Sequence, residues 1–334
     1  GLFYPPDPAS WKFSTIGGNV AENAGGMRAV KYGVTTNYVM GLEVVLADGT
    51  ILKTGGKAIK NVTGYDFKSL FTGSEGTLGI ITRATLRLIP MPKRRGTLQV
   101  MFRSLDDGCA TIHTMLQENV VPAAAEIMDR VCLDAVVKYQ KTQIDPAIEA
   151  CIVIEIDGDS DEALAMQAKR IEEVAGRCGA IGFRVAQSQQ ESDELWAVRR
   201  GLSSAVAALA PNRIGEDISV PRDAFPEVVR RIRAISEAYR LPIAVYGHAG
   251  DGNLHPSVLC DLSDPEEAAR VHRAVDEIFT AALAVGGTLS GEHGIGITKR
   301  PYIVQALGEA GVAAMKAVKQ ALDPKGILNP GKIW

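Results

Sequence analysis

Beyond residue 96 the chain alternates strand-like apolar runs with amphipathic helical ones, and few folds accommodate that pattern. The strand-like runs are Thr97–Phe102, Cys151–Ile156, Gly182–Val185, Ile214–Val220, Pro242–Tyr246 and Leu254–Leu259. The helical runs cover residues 105–118, 161–178, 190–209, 222–240 and 264–285, with a shorter pair near 299–321. Together they predict an α+β or α/β sandwich in which helices cover one face of a sheet. Residues 1–95 have a different texture, rich in glycine and short β patterns and without a long amphipathic helix. There, Tyr38–Leu46 reads as a strand, Asp48-Gly49 as a hairpin turn and Thr50–Lys53 as the returning strand. Ile80–Ile89 reads as a further strand, closed by Pro90 and Pro92. The basic run Lys93-Arg94-Arg95 reads as a solvated linker at the boundary.

Composition narrows the classes of function. Thirty-six Lys and Arg stand against 39 Asp and Glu, a net charge of −3, so no excess positive field attracts nucleic acid. No stretch approaches the ~20 apolar residues of a membrane span, and no secretory or transit segment is evident. The five cysteines, Cys109, Cys132, Cys151, Cys178 and Cys260, are scattered, and none lies in a C-x-x-C pair. That pattern points to a reducing, cytoplasmic compartment and against an iron–sulfur cluster held by this chain. Any electrons collected must leave through another molecule. The chain opens with Gly1 and the stiff stretch Leu2-Phe3-Tyr4-Pro5-Pro6-Asp7-Pro8, which reads as a fragment whose beginning is missing.

The most informative stretch is Gly247-His248-Ala249-Gly250-Asp251-Gly252-Asn253-Leu254-His255. Glycines at 250 and 252 let the backbone double back, so both imidazoles can face one point. Some forty residues on comes Ser290-Gly291-Glu292-His293-Gly294-Ile295-Gly296. His248, His255 and Glu292 match the two-histidine, one-carboxylate set of a catalytic divalent metal, which leaves coordination positions open. His293 then remains to move protons. Asp251 and Asn253 read either as partners that orient the ligands or as turn formers. His113 and His272 sit on helical runs and read as surface or packing residues.

Two further segments are glycine-rich: Thr15-Ile16-Gly17-Gly18-Asn19-Val20-Ala21-Glu22-Asn23-Ala24-Gly25-Gly26 and Gly73-Ser74-Glu75-Gly76-Thr77-Leu78-Gly79-Ile80-Ile81. Bare glycines let backbone N–H groups approach a phosphate or a flat ring, although tight turns explain them about as well. Neither is a G-x-G-x-x-G dinucleotide fingerprint and neither carries the lysine of a P-loop. The tail Asp323–Lys332 is turn-rich, with Asn329 among rigid neighbours.

In this order, "TIGGNVAENAGG", "NVTGYDFKSLFTGSEGTLGIIT", "GHAGDGNLH", "GEHGIG" and "ILNPGK" resemble the FAD-linked 2-hydroxyacid dehydrogenases. That family includes the glycolate oxidase flavoprotein subunit and FAD-dependent D-lactate dehydrogenases, within the vanillyl-alcohol-oxidase superfamily. The resemblance covers essentially the whole chain. It implies an α+β fold: the C-terminal part of an FAD-binding domain (1–95), a ferredoxin-like cap carrying the metal site (96–320), and a tail (321–334) returning to the flavin. It implies FAD contacts from Thr15, Gly17, Gly18 and Asn19, from Gly73, Glu75, Gly76, Gly79 and Ile80, and from Asn329. It further implies zinc or manganese on His248, His255 and Glu292, His293 as catalytic base, and Arg199 of Trp196-Ala197-Val198-Arg199 as partner of the substrate carboxylate. On a helix, Trp196, Arg199 and Ser203 would share a face.

The family's upstream glycine-rich pyrophosphate loop is expected to precede this chain. Members acting on 2-hydroxyglutarate carry a lysine before a D-x-S-x-P strand and an asparagine two residues past the second metal histidine. Here the strand reads Gly215-Glu216-Asp217-Ile218-Ser219-Val220-Pro221, and Ser257 stands in the second place. The expectation is therefore a short D-2-hydroxy monocarboxylate, glycolate or D-lactate. Its electrons would drain to an iron–sulfur subunit, an electron-transferring flavoprotein or a quinone, with membrane association only through a partner. Two alternatives use the same residues: a metal-dependent hydrolase, and a non-catalytic fragment.

Overall fold

The computed structural model describes residues 1–141 and 143–334. The chain divides into two compact units, Gly1–Met91 with Leu289–Trp334, and Pro92–Thr288.

In the first unit, an antiparallel sheet places Val39–Val45 between Ile51–Gly55 and Ile80–Leu86. The expected hairpin forms, its turn closed by Gly49 at φ 86° and by Asp48 accepting from the Thr50 N–H. Val20, Val39, Leu42, Val44, Phe71 and Leu78 make the core, and Val318 and Leu322 pack against it. That packing explains why residues 289–320, expected in the cap, fold with the first unit. Their helix, Ile303–Leu322, breaks at Gly308 (φ 69°, ψ 166°), which matches the shorter pair read near 299–321.

The second unit is built on a seven-stranded antiparallel sheet. Its first four strands in sequence are Arg94–Phe102, Ala124–Asp129, Ala150–Gly158 and Ala180–Val185. They lie in the spatial order fourth, first, third, second. Helices Leu105–Gln117 and Asp161–Arg177 make the two crossovers, which is the split βαβ pattern of a ferredoxin-like fold. An additional helix, Arg130–Gln140, separates the second strand from the third. The long helices fall close to the expected ranges, and polar residues cap them: Ser104, Ser160, Ser188 and Asp264 each accept a backbone N–H from the first turn.

Three features depart from expectation. The basic run is not a linker: Arg94 and Arg95 open a strand, opposite Gly158 and Asp157, and Arg94 donates to Asp161 at 2.9 Å. The strand Ala124–Asp129 carries no alternation because all six residues are buried, so a period-two reading passes over it. Each of three expected strands splits between two sheets. Asn212–Gly215, Ile243–Ala244 and Ser257–Cys260 form a separate three-stranded sheet, while Ile218–Ser219, Tyr246–His248 and Asn253–Leu254 extend the large one. The breaks fall where the backbone is claimed by other groups. Val245 donates its N–H to the Asp129 carboxylate at 2.9 Å, and Pro256 has no N–H and accepts from Glu216. Among the described residues no helix is long and apolar enough to cross a membrane.

Candidate active site

The histidine-bearing stretch folds as a short hairpin, with Gly247 opposite Leu254 and His248 opposite Asn253. Gly252 takes φ 87°, and a Cβ there would lie 2.1 Å from the Val220 carbonyl, so the turn accepts only glycine. The two imidazoles meet edge to face, with centroids 5.0 Å apart, and a ring nitrogen of each comes within 4.8 Å of the other. Both rings are almost wholly buried.

A carboxylate backs each ring. Glu126, fully buried on the strand Ala124–Asp129, meets His248 Nδ1 at 2.6 Å. Asp217, also fully buried, lies 3.8 Å from His255 Nδ1. Asn253 donates to Asp217 at 2.6 Å and to the Ile218 carbonyl at 2.8 Å, so it positions that acid, whereas Asp251 accepts from the Asn253 N–H within the turn.

Arg199 completes the cluster. It lies on the helix Gln189–Ala207, and its Nε donates to the other oxygen of Glu126 at 2.6 Å. Its guanidinium sits 5.2 Å from the centre of the Tyr246 ring and makes no other hydrogen bond to a described residue. Burial alone would raise the Glu126 carboxyl. The charges of His248 and Arg199, with their hydrogen bonds, outweigh that and hold it below the usual glutamate value. Trp196 is buried beside Thr97, to which its indole donates at 3.1 Å. Ser203 is exposed and held by Arg213 instead of sharing the buried face with Arg199. Glu126 was not singled out from the sequence. An acid set between Ala123-Ala124-Ala125 and Ile127-Met128 was the available signal, since an unpaired charge is rarely buried.

In the first unit the two glycine-rich segments converge. Gly73 donates to Val20 and Glu75 to Ala21, both at 2.9 Å, which docks the 73–79 turn onto the helix Ile16–Glu22. Thr15 caps that helix, accepting from Gly18 at 3.0 Å, and Gly17 and Asn19 lie in its first turn. Asn329 reaches the same turn, its amide donating to the Glu75 carbonyl at 2.5 Å, with Gly76 alongside. Lys319 ties the tail down through the Thr77 and Leu328 carbonyls and the Asp323 carboxylate. Ile80 is exposed at the start of its strand. Glu292 and His293 lie on the loop after Leu289. Glu292 packs against Gly25, and the His293 ring, more than half exposed, stands 3.9 Å from the Glu292 carboxylate.

The chain thus combines antiparallel α+β architecture, a convergence of glycine-rich turns and a buried histidine–carboxylate–arginine cluster. Residues 91–333 match the family described as FAD linked oxidases, C-terminal domain, and residues 1–55 match the FAD binding domain. The chain belongs to this family of FAD-linked oxidases. It is 45% identical over 334 residues to glycolate oxidase subunit GlcD of Bacillus subtilis (strain 168), covering all of this chain and 71% of that one. It is 39% identical over 340 residues to D-lactate dehydrogenase of Anaerostipes hadrus, again covering 100% and 71%. The fold matches that of 4-ethylphenol oxidase from Gulosibacter chungangensis, with a TM-score of 0.74 at 23% identity, over 100% of this chain and 72% of that one. Against alkyldihydroxyacetonephosphate synthase, with a TM-score of 0.65 at 18% identity, the chain spans 60% of the other molecule.

Proposed function

We propose that the chain forms most of an FAD-dependent dehydrogenase that oxidises a short D-2-hydroxy monocarboxylate, glycolate or D-lactate, to its 2-oxo acid. The names of its relatives, a glycolate oxidase subunit and a D-lactate dehydrogenase, support the substrate class. The observation that carries the reading is the single buried carboxylate of Glu126, bonded to His248 on one side and Arg199 on the other. It sets a metal-binding type of side chain beside a carboxylate-binding one.

The donors fit a divalent ion. Two close imidazoles, each with a buried acid near its Nδ1, leave Nε2 of each as the donor a metal would use, the arrangement common to metal-ligating histidines. In this reading His248, His255 and Glu292 hold zinc or manganese. Thr15, Gly17, Gly18, Asn19, the 73–80 turn apart from the Glu75 side chain, and Asn329 form the flavin contacts within this chain. When bound, FAD would supply the hydride acceptor for the substrate α-carbon, and a metal would supply Lewis acidity that makes the α-hydroxyl easier to deprotonate. Arg199 anchors the substrate carboxylate with the face of its guanidinium fork not used by Glu126. His293 accepts the hydroxyl proton, a task that suits an imidazole at neutral pH. The tyrosine ring of Tyr246, beneath Arg199 and 5.8 Å from His255, keeps the anchor from swinging. The word "subunit" in the relative's name supports an external electron acceptor, an iron–sulfur subunit, an electron-transferring flavoprotein or a quinone.

Dye-linked steady-state assays of the full-length, FAD-loaded enzyme test this reading. Glycolate or D-lactate should reduce the dye and 2-hydroxyglutarate should be a poor substrate. Hydrolysis of esters without dye reduction would support the metal-hydrolase alternative instead.

A further inference from the structure

We infer that Glu75 is a positioning residue that holds the loop carrying Glu292 and His293 in place. This inference rests on the function proposed above. Glu75 was expected to contact flavin directly, yet its two carboxylate oxygens accept the backbone N–H groups of Ile295 and Gly296, at 2.7 and 2.8 Å. These are the second and third residues after His293. Hydrogen bonds from N–H groups to an ionised carboxylate are stronger than neutral ones, and two to one group fix orientation as well as distance.

The rest of Glu75 is equally committed. Its N–H bonds Ala21 and its carbonyl receives the Asn329 amide, so one residue joins both glycine-rich segments, the 290–296 loop and the C-terminal tail. The backbone at Glu75 adopts φ 51°, a left-handed conformation that non-glycine residues rarely take. Asn or Gly would relieve that strain, but neither could reach two amides. Close packing confirms how tightly the loop is seated. Gly294 sits at φ 78°, and a Cβ on it would lie 2.5 Å from Glu22 Oε2 and 2.9 Å from Glu75 Oε1.

The test is Glu75→Gln in the full-length, FAD-loaded enzyme, read by hydrogen exchange of the peptide spanning 291–297 and by kinetics. An amide nitrogen cannot accept from a backbone N–H, so one of the two bonds is lost. Exchange in that peptide should accelerate by about tenfold or more. The kcat should fall by about 10–100-fold, the size seen when partners that orient catalytic ligands are removed. KM should change little, and flavin content and absorption should not change. Glu75→Asp, which keeps the charge, should recover part of kcat. Unchanged exchange would overturn the inference. So would loss of flavin with unaltered turnover per bound flavin, which would make Glu75 a cofactor contact. Should Glu75→Gln fail to fold, Gly294→Ala pushes the loop off the same carboxylate and should reproduce the kcat loss with flavin retained; wild-type kcat there would also overturn it. If the wild-type enzyme oxidises no 2-hydroxy acid, the functional reading fails, and the exchange measurement alone decides whether Glu75 holds the loop.

Discussion

The two units hold their candidate functional residues by different means. In the second unit, buried charges on regular elements position one another: Glu126 on a central strand, Arg199 on a long helix, His248 at a strand end. In the first unit, turns are held by backbone groups: Glu75 accepts two loop amides, Asn329 donates to a main-chain carbonyl and Lys319 donates to two more. A buried ionic cluster contributes to folding and function together, because removing one member strands the others in a medium of low dielectric. A partly exposed loop held by backbone hydrogen bonds can loosen without unfolding the unit beneath it. Substitutions within the buried cluster of the second unit should therefore cost stability as well as activity, and those on the loop of the first unit activity alone.

The largest effect is expected from Glu126→Leu. It leaves Arg199 buried without its partner, which should cost about 3–5 kcal/mol in denaturant unfolding and abolish metal binding. In the first unit His293→Ala should lower kcat by about 10²–10⁴-fold with flavin bound and the unfolding midpoint unmoved. A matching loss of stability there would erase the contrast.

Asp129 sharpens the comparison through pH. Its carboxylate is buried where it accepts the N–H groups of Cys132 and Val245, and burial pushes it up to about 6. An unfolded aspartate ionises near 3.8. Between those values the folded chain holds a proton that the unfolded chain has released. The contribution is thus fully present below about pH 4 and lost as pH rises to about 6, on the order of 3 kcal/mol for a fully buried group. Unfolding measured across pH 4–7 should show that decline against the other titrating groups, and Asp129→Asn should flatten it.

Arg199→Lys keeps the charge but loses the fork, and should raise KM for the hydroxy acid by about tenfold or more while lowering stability modestly. The smallest effect is expected at Ser203→Ala. That side chain is exposed beside Arg213, and stability should stay within about 0.5 kcal/mol with kinetics unchanged.

Much of this was legible in the sequence where local rules act alone. Amphipathic runs marked the long helices, the Asp48-Gly49 turn marked the hairpin, and the Gly-Asp-Gly turn between His248 and His255 foretold a close pair of rings. What stayed hidden depends on burial from both sides or on distant partners. The strand with Glu126 lacks a polar face, so no periodicity reveals it. The splitting of the Pro242–Tyr246 run depends on Asp129, which is more than a hundred residues away in sequence. The placement of residues 289–320 follows from Val318 and Leu322 meeting a core built from the first ninety residues. The role of Glu75 is invisible for the same reason: its carboxylate meets amides 220 and 221 positions away.

The most direct test is anaerobic mixing of the full-length, FAD- and metal-loaded enzyme with glycolate or D-lactate while the flavin absorption is followed. The account predicts bleaching of the oxidised flavin by one of the two acids, and no bleaching in His248→Ala despite retained flavin. An oxidised spectrum that persists with both acids at saturation, in a protein that binds both groups, would contradict it.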